Sequence, residues 1–502
     1  GISVRHRTER EVAGGVAGEP EGRRSGWTVK LPDEATGPGL ARRELDFKGG
    51  ESRVPPSVMH LLCAHVRDSV IEPVTRLRTD RLRTELRDGD GKRILEIDDD
   101  EVSVLVAGPE GRGQRVAARF RELEIELASG GAVEALEAVA GLLRAAGAGA
   151  PDPTPKVVRA LGPRALAPPD VVTGDAGPRS SVGEVVRAAI ATSVARLLAH
   201  DPGVRLGDDP EDVHQARVAT RRLRSDLRTF RALLDDEWVT PIREELGWIA
   251  GLLGAVRDTD VLLEHLQADA ASLDAADAAA GAALFRRLEG QRRSARTELL
   301  AALDSPRYVA LLNMLVDASR TPIFAPPPPM VSVPVEEQPE SSPSLEDQPA
   351  HVPPPLPPPP PSPDDPARDV LPALVRRPWR QLRRAVTELG EQPEDAALHQ
   401  VRIRAKRGRY AAEAAIPVFG KAAERFADAV ADLQGVLGDL NDAVVAEAWL
   451  REAAARAPAA QVLVVGELIA RQRQKASDCR AAWSHEWERA SDKRRRAWLK
   501  GP

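Results

Sequence analysis

One block of this chain occurs twice. VHQARVATRRLR at residues 213–224 matches LHQVRIRAKRGR at 398–409, and LLGAVRDTDVL at 252–262 matches VLGDLNDAVVA at 436–446, in the same order and at nearly constant offset. Two matched blocks in one order point to a duplicated structural unit, which restricts the fold to architectures built from two similar halves. Each unit is helical by pattern. Apolar residues recur at steps of three and four through 181–200, 211–234, 241–267, 273–303 and 306–319. They recur again through 367–389, 395–415, 420–437, 441–456 and 459–489. Between the halves, residues 322–366 hold 19 of the 43 prolines, including an unbroken run at 357–361. A segment of that composition buries too little to fold and reads as an extended spacer, with a proline-motif ligand as the alternative. A second, softer boundary falls in the Gly- and Pro-rich residues 148–178.

The duplicated blocks are basic in a particular way. His214, Arg217, Arg221, Arg224 and Arg228 follow helical steps and stack along one stripe, while Ala216, Ala219, Leu223, Leu227 and Phe230 supply the opposite face. In the second unit His399, Arg402, Lys406 and Arg409 reproduce the stripe, with Arg404 and Arg407 beside it and no acid between 399 and 410. Like charges so stacked repel by a few tenths of a kcal/mol per pair, so the stripe favours an external polyanion unless internal acids neutralise it. Arginine's planar fork matches phosphate oxygens, and both Arg and Lys are cationic at pH 7. Net charge is only −6, so a polyanion partner has to be held by local segregation of cations. In LGAVRDTD and LGDLNDAV, Gly254 and Gly438 read as sites of close helix packing or a local break. Asp258 and Asp442 read as caps or orienters of a neighbouring Arg rather than as catalysts.

Residues 1–130 alternate as strands do, with helical insertions at about 55–73 and 131–147. Arg5 and Arg7 share one face, Trp27, Val29 and Leu31 oppose Thr28 and Lys30, and Arg81, Arg83 and Glu85 oppose Leu82 and Leu86. In RFRELEIEL, Glu122, Glu124 and Glu126 project to one side and Leu123, Ile125 and Leu127 to the other. A solvent-facing sheet and a closed barrel with a charged interior both satisfy this pattern. In the barrel, cations would grip phosphate oxygens and the carboxylates would hold one or two Mg²⁺ or Mn²⁺ ions.

Two resemblances add to these readings. The doubled HxxRxxxRRLR and LGxxRD/LGxxND pattern resembles the CHAD domain, the conserved histidine alpha-helical domain, over residues 180–320 and 367–490. That resemblance implies two antiparallel helical bundles related by pseudo-two-fold symmetry, no required cofactor, and binding of inorganic polyphosphate. Carried onto this chain, the binding residues are His214, Arg217, Arg221, Arg222 and Arg224, then His399, Arg402, Lys406, Arg407 and Arg409. Arg228 extends the stripe. The order GISVRHRT, WTVKLP, LARRELDF, PVTRLRTDR, ILEIDDDEV, FRELEIELASG and TPKVVRAL resembles a CYTH domain of the triphosphate tunnel metalloenzymes over residues 1–163. It implies an antiparallel β tunnel, with metal-dependent hydrolysis of inorganic triphosphate or nucleoside triphosphates. Arg5, Arg7, Lys30, Arg43, Arg78, Arg81 and Lys156 would be phosphate ligands. Glu122 and Glu124 would face the metal, with Asp98 and Glu126 as further candidates. The family's ExExK strand has no counterpart here: the chain opens at Gly1 in what reads as the second strand, as though an N-terminal piece were missing, so the barrel is expected to be incomplete.

The expectation is therefore a multidomain α+β then all-α chain, with a truncated CYTH-like domain at 1–163 and helical halves at 180–320 and 367–490. A proline-rich linker at 321–366 joins the halves, and a basic tail at 491–502 either extends polyanion contact or frays. The two cysteines, Cys63 and Cys479, form neither a disulfide framework nor a zinc-spaced cluster, which fits a reducing cytoplasm, where polyphosphate granules are a candidate association. No apolar run is long enough to span a membrane. A scaffold binding nucleic acid or protein is the alternative, and only 3% aromatic content argues against base-stacking platforms.

Overall fold

The computed structural model describes residues 2–10, 23–32, 42–107, 113–128, 131–326, 361–455 and 458–500. They divide into two compact units, one of residues 1–58 and 69–169, the other of residues 59–68 and 170–502. Residues 327–360, most of the proline-rich segment, lie outside the described residues.

The first unit carries two three-stranded antiparallel sheets rather than one closed barrel. Strands β1 (Ser3–Arg10), β2 (Arg23–Pro32) and β3 (Arg42–Phe47) pair in chain order, as do β4 (Arg76–Arg87), β5 (Arg93–Ala107) and β6 (Gln114–Leu127). The tunnel expected from the CYTH resemblance is therefore not closed by the described strands. In sequence, short helices α1 (Pro56–Leu61) and α2 (Cys63–Val66) follow the first sheet, their residues from Met59 on belonging to the second unit, and α3 (Val133–Ala145) and α4 (Lys156–Leu161) follow the second sheet. Register decides which side chains share a face. Arg81 stands opposite Asp100 and Arg83 opposite Asp98 across β4–β5, while Glu122 faces Asp100 and Glu124 faces Asp98 across β5–β6. The hairpin before β5 closes because Asp88 accepts from the backbone of Asp90 and Lys92, and Gly91 takes φ +81°.

The second unit is helical and repeats itself. Helices α5 (Val182–Leu206), α6 (Pro210–Thr229), α7 (Asp236–Ala270) and α8 (Ala275–Leu303) precede α9 (Pro306–Arg320). In the other half stand α10 (Ala367–Thr387), α11 (Asp395–Ala414), the single turn α12 (Ile416–Phe419), α13 (Lys421–Ala454) and α14 (Ala459–Ala490). Neighbours in sequence pack together in each half: α5 on α6, α6 on α7, α7 on α8, and then α10 on α11, α11 on α13, α13 on α14. The break expected near residue 438 is absent, and α13 runs through it. Starts are chemically marked. Ser181 and Glu184 form a reciprocal capping box on α5, Asp209 caps α6 ahead of Pro210, and Ser305 caps α9 ahead of Pro306.

The halves meet through α5 with α10, α6 with α11, and α8 with α14. One apolar core contains residues of both halves, from Val186, Leu223 and Leu246 to Leu382, Val401 and Leu433. A smaller one joins the far ends of α7, α8, α13 and α14 around Leu266, Phe285, Leu450 and Leu468. The basic tail does not fray through Leu499: Arg496 lies over the Trp379 ring at 4.8 Å, Leu499 is buried, and Arg376 donates to the Leu499 carbonyl at 3.0 Å. No single described helix is long and apolar enough to cross a membrane.

Candidate anion-binding site

Packing of α6 on α11 brings the two basic stripes of the helical unit together across its halves. Their apolar faces dictate this: Val213, Ala216, Ala219, Leu223 and Leu227 of α6, and Leu398, Val401 and Ala405 of α11, are buried in the common core. Small residues at Ala216, Ala219 and Ala405 keep the helices thin there, and the long cationic side chains are left to the remaining surface.

The cations then divide into two sets. Arg222 and Arg409, from different halves, both engage the Glu413 carboxylate, Arg409 Nε donating to Glu413 Oε1 at 2.6 Å. Arg222 Nε also lies 3.5 Å from Asp226 Oδ2, and Arg221, Arg222 and Arg409 surround the Tyr410 ring at 5.5–5.7 Å. These contacts form a clamp between α6 and α11. Its acids are internal, so Arg222 and Arg409 serve packing first. Asp226 is buried, and that burial pushes its carboxyl up to about 7 despite Arg222.

The second set is not paired in this way, although Asp258 acts on Lys406 and Asp439 on Arg402. Among the described residues Arg221, Arg224, Arg228, Arg402, Lys406 and Arg407 carry no ion pair. Lys406 sits among Arg221, Arg402 and Arg217; burial first, then these three cations, pulls its ammonium down to about 7, with Asp258 opposing. Burial and the adjacent Arg407, Arg243 and Arg224 hold Arg228 below the usual arginine range. Among the described residues the Nε–H groups of Arg221, Arg243, Arg257 and Arg402 are buried without a hydrogen-bond partner, as are those of Arg5, Arg292 and Arg496 elsewhere. A buried donor without an acceptor costs about 1–3 kcal/mol, so four in one region mark a surface lacking its oxygens.

The glycines named in the sequence lie against this surface in both halves. A Cβ on Gly254 would stand 3.5 Å from Arg217 Nε, and one on Gly438 3.7 Å from Arg402 Nε. The same pairing of glycine and arginine thus recurs between α6 and α7 and between α11 and α13. Asp258 accepts from Arg217 at 2.8 Å, in keeping with an orienting role, whereas Asp442 accepts from Asn441. His399 Nδ1 bonds Asn441 Oδ1 at 2.7 Å. His214, which has Arg257 where His399 has Asn441, is held below the usual histidine range by burial and by Arg257, Arg221 and Arg217, against Glu211. Arg243 and Arg257, both on α7, were not legible as part of the site. Arg243 lies outside the duplicated blocks, and Arg257 lies inside a motif read as structural.

The first unit holds a separate charged cluster. Lys156, at the start of α4, contacts Asp100 at 2.6 Å, Glu122 at 2.8 Å and Glu124 at 2.9 Å. Arg81 donates to Asp100 at 2.6 and 2.7 Å, to Glu124 at 3.2 Å and to Asp98, which Arg83 also binds at 2.9 Å. Arg159 reaches Glu122 at 3.2 Å. Four carboxylates thus meet four cations. Burial alone would raise the fully buried Asp100, but bonds from Arg81 and Lys156 hold it below the usual carboxylate range. Burial would likewise lower Lys156, but its three carboxylate partners raise it. Oxygens of Asp100, Glu122 and Glu124 lie within 4.8 Å of one another, a donor set suited to a hard cation, though Lys156 and Arg81 already occupy it.

The remaining candidates scatter. Glu126 is exposed and in register with Glu96. Arg78 pairs in register with Ser103, on the opposite face of β4 from Arg81, and is exposed. Arg43 lies in register with Leu31, on the opposite face of β3 from Glu44. Arg5, Arg7 and Lys30 share the other face: Lys30 binds Glu44, Arg5 approaches it at 3.8 Å, and Arg7 binds Glu9 at 2.8 Å. Arg5 feels Glu124 and Arg81 of the second sheet, and burial holds it below the usual arginine range. Asp100 is the residue missed here, because DDD at 98–100 hides which aspartates point inward until the register is known.

A family model described as CHAD domain matches residues 188–451, more than half of the chain. The chain belongs to the CHAD domain family. The duplicated sequence blocks at 213–224, 252–262, 398–409 and 436–446, with their His-x-x-Arg stripes and the two glycine-against-arginine contacts, all fall inside the matched span. Two curated relatives from Mycobacterium tuberculosis, uncharacterized proteins MT2285 and Rv2226 of strains CDC 1551 / Oshkosh and H37Rv, are each 29% identical over 472 residues. Each alignment covers 91% of this chain and 82% of the relative. Among solved structures, PptA from Streptomyces chartreusis aligns with a TM-score of 0.47 at 24% identity, covering 62% of this chain and 100% of that one. The CHAD domain from the plant Ricinus communis aligns with a TM-score of 0.46 at 24% identity, covering 64% and 96%.

Proposed function

We propose that this CHAD domain protein binds inorganic polyphosphate along the surface formed by α6 and α11. The reading is carried by one observation: among the described residues, six cations without ion pairs gather where four buried guanidinium Nε–H groups lack a hydrogen-bond partner. A chain of phosphates supplies both what is missing, a repeating negative charge and closely spaced oxygens. Arg221, Arg224, Arg228, Arg402, Lys406 and Arg407 are assigned to direct contact, with Arg217, Arg243 and Arg257 beside them; Arg222 and Arg409 hold the halves in register. The test is retention of long-chain polyphosphate by the full chain, with RNA as competitor. Native binding that survives excess RNA and falls at least tenfold in an Arg221→Ala, Arg402→Ala variant supports the proposal. Absence of binding, or preference for RNA, rejects it.

For the first unit, the grouped oxygens of Asp100, Glu122 and Glu124 favour a second reading, a triphosphate-binding site that takes Mg²⁺ or Mn²⁺ in exchange for Lys156. Bound there, the metal would supply polarisation of a phosphoryl group. Metal-dependent phosphate release from tripolyphosphate that disappears in Glu122→Gln tests it, and release indifferent to that change rules this site out.

A further inference from the structure

We infer that phosphate binding at the α6–α11 surface is coupled to uptake of one proton by Lys406, so that the protein grips its ligand less tightly as pH rises above neutrality. The inference rests on the polyphosphate reading and concerns the regulation of the same site.

Lys406 is the odd member of its stripe. The duplication sets it in the place that Arg221 occupies in the first half, and arginine keeps its charge at any physiological pH whereas lysine does not. Its surroundings bear on that difference. From α6, Arg217 and Arg221 act on the ammonium, and from its own helix Arg402 does. From α7 comes Asp258, whose carboxylate is already engaged by Arg217 at 2.8 Å. Of the other helices packed on this stretch of α11, α10 presents Leu382 and α13 presents Val430 beside Gly408, while α13 offers Gly438 and Asp439 to Arg402 and Gln434 to Arg409. Lys406 itself has no ion pair among the described residues. Geometry places the cations: Arg402 stands one turn before Lys406 on α11, and α6 packs Arg221 over Tyr410, one turn after it, at 5.5 Å. An ammonium between such groups gives up its proton readily, in agreement with the fall to about 7.

A phosphate seated on Arg221 and Arg402 reverses this balance, because it places negative charge beside Nζ and offers an acceptor for its N–H groups. The bound complex holds the proton that the free protein has released. By linkage the affinity falls by up to about tenfold per pH unit above pH 7, until the bound-state pKa is reached. His214 also lies in this cationic field, but it titrates below the usual histidine range and contributes only on the acid side.

The experiment is titration calorimetry of the full chain with long-chain polyphosphate, whose internal phosphates do not titrate near neutrality, at about pH 8.5 in buffers of differing ionisation enthalpy. The native protein should take up close to one proton per site, and its affinity should weaken as pH is raised further. Lys406→Arg should bind with no uptake and a flat profile over the same range, its fold confirmed by circular dichroism. Uptake that persists in Lys406→Arg, or its absence from the native protein, overturns the inference while leaving polyphosphate binding intact. Loss of all binding by the native protein instead removes the reading on which it rests.

Discussion

Replacing Arg402 with Met should stabilise the free protein and weaken polyphosphate binding together. Among the described residues Arg402 has no ion pair and its Nε–H is buried without a hydrogen-bond partner, and it adds to the field that discharges Lys406. The orphaned donor costs about 1–3 kcal/mol, and Met fills similar space without it. Allowing for the loss of some packing along the arginine stem, a net gain of about 1 kcal/mol is expected, a rise of roughly 2–4 °C in melting temperature for a domain of this size. Binding moves the other way. A charge-assisted contact contributes about 1.5–3 kcal/mol, so affinity should fall roughly 10- to 100-fold. The slope of log K against log salt should flatten by about 0.7, by analogy with single-stranded nucleic acids. Arg409→Met is the internal control. Arg409 donates to Glu413 at 2.6 Å, so the same change there should lower stability. Thermal unfolding with and without polyphosphate, at two salt concentrations, reads all of these quantities. If Arg402→Met melts lower than the native protein, as Arg409→Met should, Arg402 is a structural cation and the argument from missing acceptors fails.

Glu413→Gln should destabilise the helical unit by about 1–3 kcal/mol, because it removes the acid shared by Arg222 and Arg409; an unchanged denaturation midpoint would mean that the clamp contributes nothing. Asp226 offers a pH test. Its folded carboxyl lies near 7 against an ordinary 3.8, so between those values the folded state holds a proton that the unfolded chain has lost, and stability declines as pH rises through that window. Asp226→Asn should flatten this part of the urea-midpoint profile, and parallel profiles would refute the assignment. Lys156→Met should leave Asp100, Glu122 and Glu124 without their shared counter-charge, lowering stability by about 3–5 kcal/mol, with partial recovery on adding Mg²⁺ or Mn²⁺. A variant as stable as the native protein would show that Arg81 and Arg159 suffice.

The helical halves were legible because helix periodicity is local. The step from Arg217 to Arg221 to Arg224 puts those side chains on one stripe whatever else the chain does, and duplication of the block announced two similar units before any packing was known. Strand alternation carries less. It placed Glu122 with Glu124 correctly on one side of β6 and set Arg78 on the face of β4 opposite Arg81, but only pairing with Asp98 and Asp100 showed that the Arg81 face meets the buried carboxylates. Spacing offered Arg222 and Arg409 each an acid four residues on, Asp226 and Glu413, but not the contact that joins them across the halves. That contact is made by Glu413, which lies 191 residues beyond Arg222 and reaches it only when α6 packs on α11. Arg243 joined the site in the same way, from α7. Sequence alone therefore determined where cations line up along each helix, since that follows from the backbone's own repeat. Tertiary structure decided which of them are neutralised, because a counter-charge acts through distance in space and not along the chain.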